Sequence, residues 1–477
     1  MVETWFHEDG WRASTVPYLE GTLAFVCITH AFEMYLDYRQ HLKLEEKTLP
    51  EKLCQAIQRV DEQNAHRVAS TTDGELTEVT TTAPSLLQQT QDKFEKSRLY
   101  GLDKSRFKFV HDAFFFAEGL AMVLLGYMPY MWQTSARILM YFGYSHHDEI
   151  LLSLVFVTLS SVKDVCLSLP FDVYSHFVVE ERHGFNKLTL RLFATDKVKG
   201  LSLGLVIGYP LLAALVAIIR WGGDAFVLYV WAFTFAFTLI MMTIYPAFIM
   251  PLFNKFTPLA DGSLRVAIEA LASSLQFPLT KLFVCDGSTR SSHSNAYLFG
   301  MFNNKRIVLY DTLLAQATQD EIVAILAHEL GHWKRWHTVQ GLVIQQIYLV
   351  AMFAVFGRCM HDRNLFASFG FYGGHPLPIV VGLTLFLTTV WAPVDKVLSY
   401  ALTAHSRANE FEADAFAVDL GYGEPLQSGL TKISLENLSN MNPDKLYSAY
   451  HYIHPPLAER LAAVGARTTG AAHKKFV

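Results

Sequence analysis

AFVLYVWAFTFAFTLIMMTIYPAFIM, Ala225 to Met250, runs for 26 positions without an Asp, Glu, Lys, Arg or His. A bilayer core about 30 Å thick is crossed by roughly 20 apolar residues in a helix, so this stretch reads as a membrane span. The whole chain agrees. Its 477 residues are 51% hydrophobic and only 17% charged, with a mean hydropathy of +0.22, too apolar for an ordinary soluble protein. Six further runs have similar character: Pro17 to Leu36, Val110 to Trp132, Leu151 to Leu169, Gly200 to Ile219, Val339 to Phe356 and Pro376 to Ala401. The expected fold class is therefore an all-α polytopic membrane protein of seven spans.

Seven spans place the termini on opposite sides. Lys187, Arg191, Lys197 and Lys199, the segment with Lys96, Arg98, Lys104 and Arg106, and the pair Lys334 and Arg335 fall on one face, while the alternate loops carry little beyond Arg137 and Arg220. The basic face is expected to be cytosolic and the N-terminus lumenal. The N-terminus is acidic (Glu3, Glu8, Asp9), so the first span is not expected to be a cleaved signal. Glu20, His30, Glu33, Glu118, Lys163, Asp164, Asp395 and Lys396 lie within the runs. Such groups point to a polar chamber inside a bundle, the alternative being paired or snorkelling charges near span ends. Five scattered cysteines indicate neither a disulfide frame nor a thiolate metal site. The net charge of −5 says little about partners, and no nucleic-acid partner is expected. Leu42 to Gln91, with its Thr/Ser-rich runs, reads as a loosely ordered cytosolic insertion around a short helix.

The chemistry is concentrated in Ala327-His328-Glu329-Leu330-Gly331-His332-Trp333. HExxH on a helix puts two imidazoles one turn apart, facing one zinc ion, with the glutamate beside the open position as general base. Thr318 and Glu321 have capping-box spacing just upstream. A third ligand is expected from a second helix, where Glu410 and Asp414 lie four apart in a Gly- and Pro-free stretch. One carboxylate would reach the metal and the other would hold a ligand imidazole in its tautomer; the alternative is a solvated acidic face. Glu412 is expected to point elsewhere. Lys281 to Cys285, Ala296 to Phe299 and Arg306 to Tyr310 read as strands, with turns at Gly300 and Asn303-Asn304. Asn295, Ala296 and Tyr297 could offer a substrate an edge to pair with, or could simply pack.

HELGHW, SRANEFEAD, RSSHSNAYLFG with NNKRIVLYDTLL, FVVEERHGFNK, IYPAFIMPLFNKFTPL and HPPLAERL together closely resemble the CAAX prenyl protease 1 family. The resemblance implies a barrel of seven helices around a water-filled intramembrane chamber, capped on the cytosolic side by a zinc metalloprotease domain with a small β-sheet. It further implies one Zn2+ per chain on His328, His332 and Glu410, with Glu329 as base and Asp414 as a supporting carboxylate. His454 would match a histidine that stabilises the oxyanion, Arg460 an arginine of the same region, and Asn295 to Tyr297 the substrate-binding edge strand. The reaction implied is removal of the aaX tripeptide from the C-termini of prenylated CaaX proteins at the lipid bilayer.

The implied location is the endoplasmic reticulum membrane, with the inner nuclear membrane as a second site. Lys474-Lys475-Phe476-Val477 is either a retrieval signal or a solvated basic tail. The expected organisation is residues 1–38 for the N-terminus and first span, 39–109 for a cytosolic loop, and 110–252 for spans two to five. The zinc domain would follow as 253–338 and 402–477, split by spans six and seven at 339–401. Two other readings share part of this evidence: a quality-control metalloprotease cutting unprenylated chains, and a seven-span transporter or receptor with structural zinc.

Overall fold

The computed structural model describes residues 16–71, 84–145, 147–300, 304–372 and 377–475. Among these, five helical stretches are long and apolar enough to cross a membrane: Glu149–Glu180, Leu190–Trp221, Gly223–Phe253, His337–Cys359 and Ile379–Asp419. They correspond to the third to seventh expected spans. The chain is a multi-pass membrane protein. Four of the five contain a π-helical segment, namely Ser175–Glu180, Gly204–Gly208, Tyr245–Ile249 and Leu387–Trp391. Pro210, Pro246 and Pro393 sit in or just after three of these, where a missing N–H frees a carbonyl that the wider turn accommodates.

The second expected span needs correction. Val110 to Trp132 is not one straight helix. Leu86–Leu124 and Tyr127–Tyr141 meet at 69°, because Gly126 adopts φ 64 and turns the chain. Counted together, the pair makes a sixth span. Pro17 to Leu36 lies in the helix Tyr18–Glu45, whose Glu20, Glu33, Asp37 and Arg39 keep it below the hydropathy of the other five.

The intramembrane charges are mostly paired with one another. Lys163 reaches Glu118 at 2.7 Å and Asp164 at 2.8 Å, and Lys396 reaches Glu33 at 2.6 Å. Tyr348 Oη donates to Asp395 at 2.8 Å, and the His30 ring stacks on Phe116. A cavity of about 1160 Å³ lies inside the molecule, lined in part by Asp37, Lys108 and Asp112. Lys108 bridges both carboxylates. The charges singled out in the sequence are thus paired, and the cavity is lined by a different set, Asp37, Lys108 and Asp112 among them.

The insertion is more ordered than its composition implies. Glu51–Thr71 is a helix of 21 residues, and Leu53, Ala56, Ile57 and Val60 pack on Leu86, Phe94, Leu435, Met441 and Leu461. Its apolar stripe therefore docks on the C-terminal helices. Residues 72–83, which hold most of the Thr/Ser run, fall outside the described residues, as do Asn303, Pro376, Phe476 and Val477.

The non-spanning part contains one four-stranded mixed sheet in the order β1-β2-β4-β3, with β1 Phe256–Pro258, β2 Leu279–Cys285, β3 Ala296–Phe299 and β4 Lys305–Tyr310. β3 pairs antiparallel with β4, Ala296 opposite Leu309 and Phe299 opposite Arg306. Its other side is a sheet edge. The motif helix, Gln319–Lys334, packs on this sheet through Ile322, Val323, Leu326 and Leu330, all buried with Ile307, Leu309 and Leu313.

Candidate metal centre and catalytic site

Thr318 starts the motif helix. Its hydroxyl accepts from the Glu321 backbone N–H, while the Glu321 carboxylate accepts from the Thr318 N–H at 2.8 Å. This reciprocal cap satisfies two donors that would otherwise be orphaned. Glu321 also receives Lys432 at 2.7 Å, which ties the helix start to Gly423–Glu436.

Gly331 explains how a second helix comes so close. A Cβ there would lie 3.1 Å from Ala413 Cα and from Phe416 Cδ1, so only glycine lets Ala392–Asp419 press on the motif helix without displacement. Ala413 and Ala417 are fully buried in this contact. The close approach delivers Glu410 and Asp414, one helical turn apart, to the two histidines.

His328 Nε2 and His332 Nε2 lie 3.2 Å apart. Glu410 Oε1 is 3.3 Å from His332 Nε2, and Glu410 Oε2 is 3.5 Å from His328 Nε2. A tetrahedral ion with bonds of about 2.0–2.1 Å separates its ligand atoms by roughly 3.4 Å, close to all three distances. The donor set fits such an ion: two imidazole nitrogens, one carboxylate and an open fourth position. Glu410 Oε2 adds a second sign. It is buried without a well-directed hydrogen bond, although His454 Nδ1 is 2.9 Å away.

The histidine Nδ1 atoms are each held from behind. His328 Nδ1 lies 2.8 Å from Asp414 Oδ1, and Arg460 clamps the same carboxylate through Nε at 2.8 Å and Nη2 at 2.6 Å. Arg460 Nη1 is also 3.5 Å from Glu410 Oε2. His332 Nδ1 faces His337 Nδ1 at 2.9 Å, and His337 Nε2 reaches Glu412 at 3.4 Å. Glu412 does point away from the cluster, as expected, but onto His337. The sequence reading missed this pair. A signal existed in the five-residue step from His332 to His337, but only the left-handed Trp336 (φ 62) folds His337 back beside the motif.

Glu329 lines the 1160 Å³ cavity with His328, Glu410, His454 and Arg460. Burial lifts its carboxyl above the usual glutamate range, against the opposing pull of the His328 and His332 rings. Burial works against charging His332, yet its hydrogen bond to Glu410 and the nearby carboxylate charges raise it overall. His454 keeps its side chain 62% exposed while Nδ1 faces Glu410, leaving Nε2 available to the cavity. Asn295 and Ala296 line the same cavity. Tyr297 does not: its side chain turns to the other face, near Phe299 and Tyr310, as alternation along a strand requires.

Sequence comparison agrees with this geometry. Residues 39–255 match the model of the CAAX prenyl protease N-terminal region, described as five membrane helices, and residues 258–468 match peptidase family M48. The chain is 46% identical over 450 residues to the CAAX prenyl protease 1 homolog of Arabidopsis thaliana, covering 94% of this chain and 98% of the relative. It is 42% identical over 424 residues to the Homo sapiens homolog, covering 81% and 89%. Its fold is similar to the crystal structure of S. mikatae Ste24p, with TM-score 0.82 and 37% identity over 94% of this chain and 99% of that one. M48 membership implies a catalytic metal, for which the His-His-Glu cluster is the candidate among the described residues. The chain belongs to the CAAX prenyl protease 1 family of membrane metallopeptidases.

Proposed function

We propose that this protein is a zinc endopeptidase that cuts the aaX tripeptide from prenylated CaaX C-termini at the endoplasmic reticulum membrane. Its N-terminus would be lumenal and its active site would face the cytosol. The observation that carries the reading is the His328, His332 and Glu410 cluster opening on a large cavity, which the ends of the spans Glu149–Glu180 and Ile379–Asp419 line together with Tyr18–Glu45 and Leu86–Leu124.

Zinc, when bound to His328, His332 and Glu410, supplies a Lewis acid that polarises the scissile carbonyl and acidifies the attacking water. Glu329 accepts that water's proton and passes it to the leaving amine, a task suited to its raised affinity for a proton. The C–N bond breaks, leaving a carboxylate on the prenylcysteine and a free amine on the tripeptide. With Nδ1–H directed at Glu410, His454 as the imidazolium donates from Nε2 to the carbonyl oxygen as negative charge develops there. Asp414 and Arg460 fix the ring of His328, and β3 offers its free edge to the substrate backbone. Isoprenoid and peptide need different surroundings, one apolar and one polar. A cavity lined by both kinds of residue, Phe107, Val179 and Leu430 beside Asp37, Lys108 and Glu180, would supply both.

His337 and Glu412 position His332. Replacing His337 with Gln should weaken zinc retention by about tenfold to a hundredfold, read by chelator competition, while the melting temperature changes little.

Matched farnesylated and unprenylated peptides test the reading. Purified, detergent-solubilised chain should release the tripeptide from the farnesylated peptide selectively, and chelator should abolish the release. Equal cleavage of both peptides would favour the quality-control protease instead.

A further inference from the structure

Resting on that reading, we infer that Lys104 binds the free C-terminal carboxylate of the substrate and so measures the tripeptide to be removed. A second cavity, of about 540 Å³, adjoins the first and shares Tyr100, Lys104, Ser175, Glu180 and His293 with it. A substrate ending three residues past the cut would carry its terminal carboxylate into this space, where a cation free of other carboxylates can pair with it through a charge-assisted hydrogen bond.

Five Lys or Arg side chains line the two cavities. Four have carboxylate partners: Lys197 on Asp172 at 2.6 Å, Arg290 on Asp196 at 2.9 Å, Lys108 on Asp112 at 2.7 Å and Arg460 on Asp414 at 2.6 Å. Lys104 is the exception. Its ammonium lies over the Tyr100 ring at 4.8 Å and 3.5 Å from the Tyr100 hydroxyl, with no ion pair within 4.0 Å among the described residues. Glu180, beside it, already accepts from Tyr100 at 2.6 Å and has His293 Nε2 at 3.6 Å.

Lys104 lies on the side toward which the N-terminal end of β3 points. His293 lies three residues before Ala296, the first residue of the edge strand, and the contacts run from His293 through Glu180 and Tyr100 to Lys104. A peptide added antiparallel to β3, the commoner and slightly stronger pairing, runs its C-terminal half past the N-terminal end of β3. Three extended residues reach about 10 Å, enough to carry a terminal carboxylate beyond the start of β3 into the space shared by His293 and Lys104. A parallel peptide would carry its carboxylate toward Phe299 instead.

The test compares farnesylated peptides ending in a free acid or a carboxamide, cut by wild type, K104M, K104Q and K104R. Wild type should prefer the acid by about tenfold to a hundredfold, the range of a charge-assisted hydrogen bond. K104M and K104Q should bring the ratio of kcat/KM values near one, and K104R should keep most of it. The two neutral variants differ in shape, so a folding defect in one leaves the other to decide. Equal use of acid and amide by wild type, or a preference that survives both neutral variants, would overturn the assignment while leaving the protease reading intact. Failure of the zinc-loaded wild type to cut either peptide would overturn both.

Discussion

Replacing Glu329 with Gln should lower kcat for tripeptide release by about a hundredfold to ten-thousandfold, the usual contribution of a positioned general base, while zinc content stays near one per chain. The side chain is nearly isosteric and is not among the three atoms that cluster as candidate ligands. Loss of turnover without loss of metal therefore separates proton transfer from binding. A structural zinc in a transporter or receptor would give the opposite pattern, with function indifferent to Glu329 and the coordination closed by a fourth protein ligand. Elemental analysis and a turnover assay on the same preparation distinguish the two.

His454 to Ala should cost about a hundredfold to a thousandfold in kcat with a much smaller change in KM, because a donor aimed at developing charge acts in the transition state more than in the ground state. Nδ1 of His454 also sits 2.9 Å from Glu410. The assay is therefore made at saturating zinc, so that any loosening of the metal does not pass for lost catalysis. A variant that raises KM while sparing kcat would assign His454 to substrate binding instead.

Sequence made some parts of this site readable because they depend on short spacings. Thr318 and Glu321 announce a helix start through three residues, and Glu410 and Asp414 share a face because four residues make one turn. The strands β2, β3 and β4 stood out by their β-branched and aromatic content, whereas the three-residue β1 carries too little pattern to register. Other features needed the fold. The bend at Gly126 and the π-helical segments interrupt runs whose hydropathy is continuous, since hydropathy records the solvent and not the backbone hydrogen-bond pattern. Glu51–Thr71 has a polar composition, and only its contacts with Leu435, Met441 and Leu461, nearly 400 residues away, reveal a docked face. The link from His332 to Glu412 through His337 depends on one left-handed residue, Trp336.

β3 is short, edge-placed and held against the motif helix, so under the proposed function a peptide paired with it would run past Glu329 and the His-His-Glu cluster. Elsewhere, Lys163 pairs with Glu118 and Lys396 with Glu33. Charges in such a setting are costly unless paired; of the Lys and Arg lining the two cavities, Lys104 has no ion pair within 4.0 Å among the described residues.

The most direct measurement is the mass of the first product released from a farnesylated CaaX peptide by zinc-loaded protein in 18O-labelled water. An intact aaX tripeptide released in one step, with the label on the new carboxylate of the farnesylcysteine fragment, is the result this account predicts. Residues removed one at a time from the C-terminus, cuts at other positions, or an unchanged peptide would contradict it.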